Sequence, residues 1–280
     1  MSGIHIVTDS SSDLAEGDLD RLDVEIVPLS IRFGSEEFTD GLDLSVAEFY
    51  RRMDSSDELP QTACPSPGAF ELAFRRASES GADAVVCLNI SGDLSNTLQS
   101  AQTASDAVGE QIPVHVVDSR SVSSGLGTLV LEAARAARGG ANVHAVLSRV
   151  RSLIPRTHVI AALNTMENLK KGGRIGGAKA MLGSILSIKP VIDITGGEVQ
   201  EAGKPRTRTK AMHMLYERIV EAGSIEHLAV MHGGAPDIGD FLDLIAPRFP
   251  RESLRLGELG AVIGSHGGAE IIGVSWIAAT

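Results

Sequence analysis

Four short stretches hold the residue types that could do chemistry. In "IGSHGGAE", residues 263–270, His266 stands among glycines between two apolar runs. An imidazole there could be a general base, a ligand clamp, a metal ligand or a plain polar residue of a hairpin. In "NISGDLSNTLQSA", residues 89–101, a strand-like run ends and a helix is expected from about Ser95. The Ser95 hydroxyl and the free backbone N–H groups of Asn96 and Thr97 could hold an anion at that helix start; ordinary N-capping uses the same groups without a ligand. In "PQTACPSPG", residues 60–68, Thr62 lies just before another helix start. In "NLKKGGRIGG", residues 168–177, paired glycines flank a Lys-Lys-Arg cluster. There Arg174 could offer a planar fork to a carboxylate or phosphate, while a helix C-cap at Gly172 would explain the glycine alone.

The elements that must position these residues fall into two halves. Up to about Pro155, β-branched runs ("HIVTDS", "VEIVPLSI", "DAVVCLNIS", "VHVVDS") alternate with helical patterns. Ser45 and Glu48 have capping-box spacing, Ser66 and Pro67 open the next helix, and Gly81 closes it. Another helix carries Leu98, Ala101, Ser105 and Val108 on one face, and "SVSSGLGTLVLEAARAARGG" gives one more. This alternation predicts an α/β/α domain over 1–155 with a mainly parallel sheet. Thr62 and Ser95 then share the C-terminal edge of that sheet, where open α/β folds bind ligands. The second half reads differently. Gly196-Gly197 between "KPVIDI" and "EVQEAG" signals a hairpin, and "TRTKAMHMLYERIVEAG" is an amphipathic helix. We expect an α+β domain with a mixed or antiparallel sheet over 156–280, and a ligand site between the halves.

Composition narrows the function. A chain of 280 residues with 43% hydrophobic residues builds a sizeable core. A net charge of −11 argues against nucleic acid. No apolar stretch is long enough to cross a bilayer, nothing reads as a signal peptide, and Cys64 and Cys87 lack disulfide or zinc spacing, so a bacterial cytoplasmic protein is expected. All six lysines (170, 171, 179, 189, 204 and 210) lie in one segment with Arg174, Arg206 and Arg208. That segment is either a solvated face or a docking patch for an acidic or phosphate-bearing partner. GxSxG, HExxH, CxxC, a P-loop and a complete GxGxxG are absent.

Taken in order, "HIVTDSSSDL", "QTACPSPG", "LNISGDLSNTLQSA", "VVDSRSVSSGLG", "ENLKKGGRIGG", "LSIKPVIDITGGEVQEAGKPRTRTKAM" and "IGSHGGAEIIGV" resemble the DegV family across essentially the whole chain. That resemblance implies a bacterial lipid-binding protein rather than an enzyme, with no cofactor and no metal. The acyl tail of a long-chain fatty acid lies in a buried tunnel, and a separate fatty acid kinase converts the carboxylate to an acyl phosphate. It also implies a monomer on its own, without stable membrane insertion. By the resemblance, Thr62 and Ser95 bind the carboxylate, with Asn96 and Thr97 beside them. His266 contacts the carboxylate and, with Arg174, supports phosphoryl transfer. Lys204, Arg206 and Arg208 fall in the kinase-facing stretch.

The residues suit those roles. A carboxylate at the mouth of an apolar tunnel needs several donors to offset its desolvation, and Arg174 with a protonated His266 could stabilise charge added to it. Three departures stand out. Asn96 replaces a glycine and must tolerate any left-handed turn, Leu98 replaces a tyrosine, and "HGGAE" replaces "HTGPG". The last predicts a looser loop, with Glu270 near the anion. The alternatives are a stand-alone phosphotransferase or hydrolase using His266, and a binder of another small carboxylate.

Overall fold

The computed structural model describes residues 3–56 and 58–280. The first half contains β1 (Ile4–Asp9), α1 (Glu16–Leu22), β2 (Val24–Val27), β3 (Ser30–Phe33), β4 (Glu36–Thr39), α2 (Val46–Ser55), β5 (Gln61–Ala63), α3 (Pro67–Glu79), β6 (Ala84–Asn89), α4 (Thr97–Val108), β7 (Val114–Asp118), α5 (Ser124–Arg138) and α6 (Val143–Leu153). Four strands form a parallel sheet in the order β2-β1-β6-β7. Strand β6 is buried at every position, as a strand covered on both faces must be. Phe70, Phe74, Ala101 and Val108 of α3 and α4 cover one face, and Leu129, Val130, Val146 and Val150 of α5 and α6 cover the other. The expected caps form. Ser45 Oγ accepts from the Glu48 N–H at 3.3 Å and Ser66 Oγ from the Ala69 N–H at 3.2 Å.

"VEIVPLSI" is not one strand. Pro28 lacks the N–H a ladder needs, and the run breaks there into β2 and β3. β3 leaves the parallel sheet and forms a separate antiparallel sheet, β4-β3-β5, in which Ile31 lies opposite Thr62. That small sheet holds Thr62 in place.

The second half contains β8 (Thr157–Ala162), α7 (Glu167–Lys171), β9 (Val191–Asp193), β10 (Gln200–Gly203), α8 (Arg208–Glu221), β11 (Ile225–His232), α9 (Ile238–Ile245), β12 (Arg255–Glu258), α10 (Ala261–Gly267) and β13 (Ile272–Ala278). Its strands form a mixed sheet in the order β10-β9-β8-β13-β11-β12, in which only β11 and β12 run parallel. The β9–β10 hairpin forms with a connection of residues 194–199, longer than two residues, with Gly196 and Gly197 at positive φ. Leu215, Ile219, Phe241 and Leu242 of α8 and α9 pack on one face against Val230, Val274 and Trp276. The other face looks toward the first half. Val159 and Ile277 of this sheet share one core with Leu126, Leu129 and Val86, and Ser124 on α5 pairs with Ser275 on β13 at 2.7 Å. Helix α5 therefore joins the two sheets. No helix among the described residues is long and apolar enough to cross a membrane.

Candidate ligand site

The segment before His266 folds as a helix, not as the strand its apolar residues suggested. "AVIGSHG" is α10, and His266 lies in its last turn. A short β-branched run does not separate strand from helix. Packing decides here, because Val262 and Ala261 bury beside Phe49 and Leu44, and Gly264 lets α10 approach the rings of Phe49 and Tyr50. The helix starts over two carboxylates from the first half. Asp13 Oδ1 accepts the Gly260 N–H at 3.0 Å and Oδ2 the Ser123 O–H at 2.5 Å. Asp40 accepts from the Ala261 N–H and from Ser10. Burial pushes Asp13 up to about 7 and Asp40 up to about 6. These two acids fix the helix that carries the histidine, and neither was singled out from the sequence. For Asp13 the signal was the "TDSSSD" motif, and Asp40 lies outside it.

His266 Nε2 lies 2.9 Å from Thr62 Oγ1, so residues 204 apart in sequence meet across the two halves. Nδ1 is buried without a partner. It rests against Gly172, where a Cβ would collide with it and lie 3.0 Å from the Asn168 carbonyl. Gly172 has φ −75, so close approach of the imidazole, not backbone freedom, is what demands glycine. Asn168 Nδ2 donates to the Ser265 carbonyl at 3.1 Å and fastens α7 to α10. Burial, then the Arg174 charge, lowers the His266 pKa to about 4. The ring is neutral at pH 7, which corrects the expectation of a protonated His266.

Arg174 spans the cleft. Its Nε donates to the Leu94 carbonyl at 3.0 Å and Nη1 to the Gly172 carbonyl at 2.8 Å. Ser95 Oγ accepts the Thr97 N–H at 3.2 Å and lies 2.8 Å from Thr97 Oγ1. Thr62, Ser95, Arg174 and His266 line one cavity with Leu29, Ile90, Val199, Ile271 and other aliphatic side chains. The cavity volume is about 80 Å³, so the channel is narrow. Thr62, Arg174 and His266 also border a surface groove with Gln61 and Lys171. Thr62, Arg174 and His266 stand where the aliphatic channel meets the surface groove, and Ser95 lines the channel.

Other expected residues are placed elsewhere. Thr97 is fully buried, its N–H is taken by Ser95, and it does not line the channel. Asn96 is the exposed N-cap of α4 with φ −73, so the position does not need a glycine. Lys204 and Arg206 are exposed, Lys204 beside Glu201 at 3.0 Å. Arg208 is turned inward, contrary to a role on a partner-facing surface. It forms a two-point pair with Asp237 at 2.8 and 3.1 Å and also donates to the Glu270 carbonyl. Burial raises the Asp237 carboxyl, but the Arg208 hydrogen bonds and charge outweigh it and hold the group below its usual range. Glu270 is not beside the anion site. Its carboxylate accepts from Asn164 Nδ2 at 2.9 Å and its N–H donates to the Gly233 carbonyl at 2.7 Å, with φ +60. The "HGGAE" loop is therefore tied at three points, not loose. Among the described residues no three His, Cys, Asp or Glu side chains converge as a metal site requires.

Fold and site together define an α/β protein with one parallel and one mixed sheet and a narrow aliphatic cavity bordered by hydroxyl, imidazole and guanidinium groups. Residues 3–279 match the family described as "Uncharacterised protein, DegV family", and the chain belongs to it. A DegV domain-containing protein of Deinococcus radiodurans is 35% identical, with 97% of each chain covered. Among solved structures, a DegV family protein from Thermus thermophilus, described for its fatty acid binding, superposes with a TM-score of 0.89 at 33% identity and covers 99% of both chains. A stearic-acid-binding protein from Eubacterium ventriosum superposes with a TM-score of 0.89 at 27% identity, over 99% of this chain and 98% of that one.

Proposed function

We propose that this protein binds a long-chain fatty acid in the channel and presents its carboxylate to a separate ATP-dependent kinase. The observation that carries the reading is the channel itself: lined mainly by aliphatic side chains, with Thr62, Ser95, Arg174 and His266 among them and three of these four also bordering the surface groove. Each buried CH₂ contributes ~0.8 kcal/mol, so the tail supplies most of the affinity and the polar end sets orientation. In this reading the lobes 1–155 and 156–280 each build part of the tunnel. With its proton on Nε2, His266 donates to Thr62 Oγ1, and the Thr62 O–H is free to donate to the carboxylate. Arg174 supplies the charge-assisted partner. Exposed Lys171 borders the groove with Arg174, which suits a partner that handles phosphate.

A stand-alone phosphohistidine enzyme fits less well. Nε2 is engaged by Thr62 and Nδ1 is shielded by Gly172, so neither nitrogen is presented for attack. The test is native mass spectrometry of the purified protein, followed by fatty acid titration of the stripped form. A co-purifying fatty acid is expected. Stripped, folded protein that takes up no acyl chain overturns the reading. Addition of the kinase and ATP then yields acyl phosphate only with the partner present.

A further inference from the structure

The floor of the channel is a row of residues lying side by side across the mixed sheet. Ile192 on β9 pairs with Ala161 on β8, Ala161 with Gly273 on β13, and Gly273 with Met231 on β11. Ile192 lines the channel. Ala161, Gly273 and Met231 line a second apolar cavity that shares Val122, Ile194, Ile263 and Ile271 with the first. It is smaller, about 30 Å³. It continues the first cavity away from Thr62 and His266, neither of which lines it.

Gly273 is the second residue of β13, a buried strand inside the mixed sheet, where a glycine weakens the sheet and calls for a reason. Backbone geometry is not the reason, because the residue is not at positive φ. Packing is not the reason either. A Cβ at 273 would meet the Ile160 carbonyl at 3.8 Å and Ala161 Cβ and the Met231 carbonyl at 3.9 Å, all ordinary contacts. Gly264 differs, since a Cβ there would press on Tyr50 Oη at 2.8 Å. Side chains alternate along a strand, so one at 273 would leave the same face as Ile271, which borders both cavities. The missing side chain leaves open space above the floor.

We propose that Gly273 sets the length of acyl chain the protein accepts, by leaving the floor clear where the methyl end of the tail comes to rest. This rests on the fatty-acid reading above. Ala161 and Met231, which flank it on the neighbouring strands, line the same cavity.

The test uses the full chain, stripped of lipid, titrated with saturated fatty acids that differ by two carbons. Wild type, Gly273→Ala and Gly273→Val are compared, with thermal midpoints as the check on folding. Gly273→Ala adds a methyl without collision and keeps the comparison valid if the valine variant folds poorly. Affinity for short chains is expected to stay unchanged. Long chains should lose about fourfold for each methylene the end cavity no longer houses, and more with Val than with Ala. The optimum therefore moves to shorter chains. Wild type that binds, with both variants keeping its length profile or losing affinity equally at every length, overturns the role of Gly273 alone. Wild type that binds none of the series overturns the fatty-acid reading and this proposal with it.

Discussion

The strongest test of the site is the pH dependence of stability assigned to His266. Its pKa is about 4 in the folded protein against 6.5 for an ordinary imidazole. Folding is then opposed by protonation wherever the unfolded chain binds a proton that the native ring refuses. This group's contribution is intact above pH 6.5 and is lost as pH falls toward 4. The full difference of 2.5 units corresponds to about 3 kcal/mol, and between pH 8 and pH 5 about 2 kcal/mol should disappear. Asp13 and Asp40 act in the opposite sense over the same range, because burial raises their pKa values and acid stabilises their native forms. A bare stability profile therefore mixes the two. The comparison that isolates the histidine is wild type against His266→Gln, by urea unfolding at pH 8 and pH 5. The variant should lie closer to wild type at pH 5 than at pH 8, by about 2 kcal/mol. A carboxylate bound beside the ring raises its pKa, so saturating fatty acid should shrink that gap. Parallel profiles for the two proteins would show that His266 is not held neutral in a desolvated pocket, and the account of the polar end would fall with it.

Thr62→Ala combined with Ser95→Ala removes two donors from the channel mouth and should weaken fatty acid binding about ten- to a hundredfold in titration, with the thermal midpoint little changed. Gly172→Ala drives a methyl into His266 Nδ1; it should cost about 1–3 kcal/mol in denaturant unfolding and reduce fatty acid affinity through the displaced imidazole. Asp13→Asn removes the group whose pKa is raised to about 7, so the stability of wild type relative to the variant should fall as pH rises from about 4 to about 7 in urea unfolding.

Much of the first half was readable from the chain alone, because its signals are local. The caps at Ser45 and Ser66 and the closing Gly81 each act within one turn of a helix, and they form as expected. Continuous β-branched runs made the parallel sheet evident. The four polar residues of the site could also be named from their motifs, and the structure lines one cavity with all of them. What the sequence could not decide is everything set by contacts between distant segments. "AVIGSHG" carries no periodicity that distinguishes helix from strand, and its helical state follows from packing on Phe49 and Tyr50 and from the carboxylates of Asp13 and Asp40. Arg208 looked like another cation of a basic surface until Asp237 and the Glu270 carbonyl turned it inward. A charge on His266 is a matter of desolvation, which exists only once the halves close around the ring. Residue type and spacing marked Thr62, Ser95, Arg174 and His266 as candidate ligand groups. Only the tertiary structure decided which face each other, which are neutral, and how far the apolar channel runs behind them.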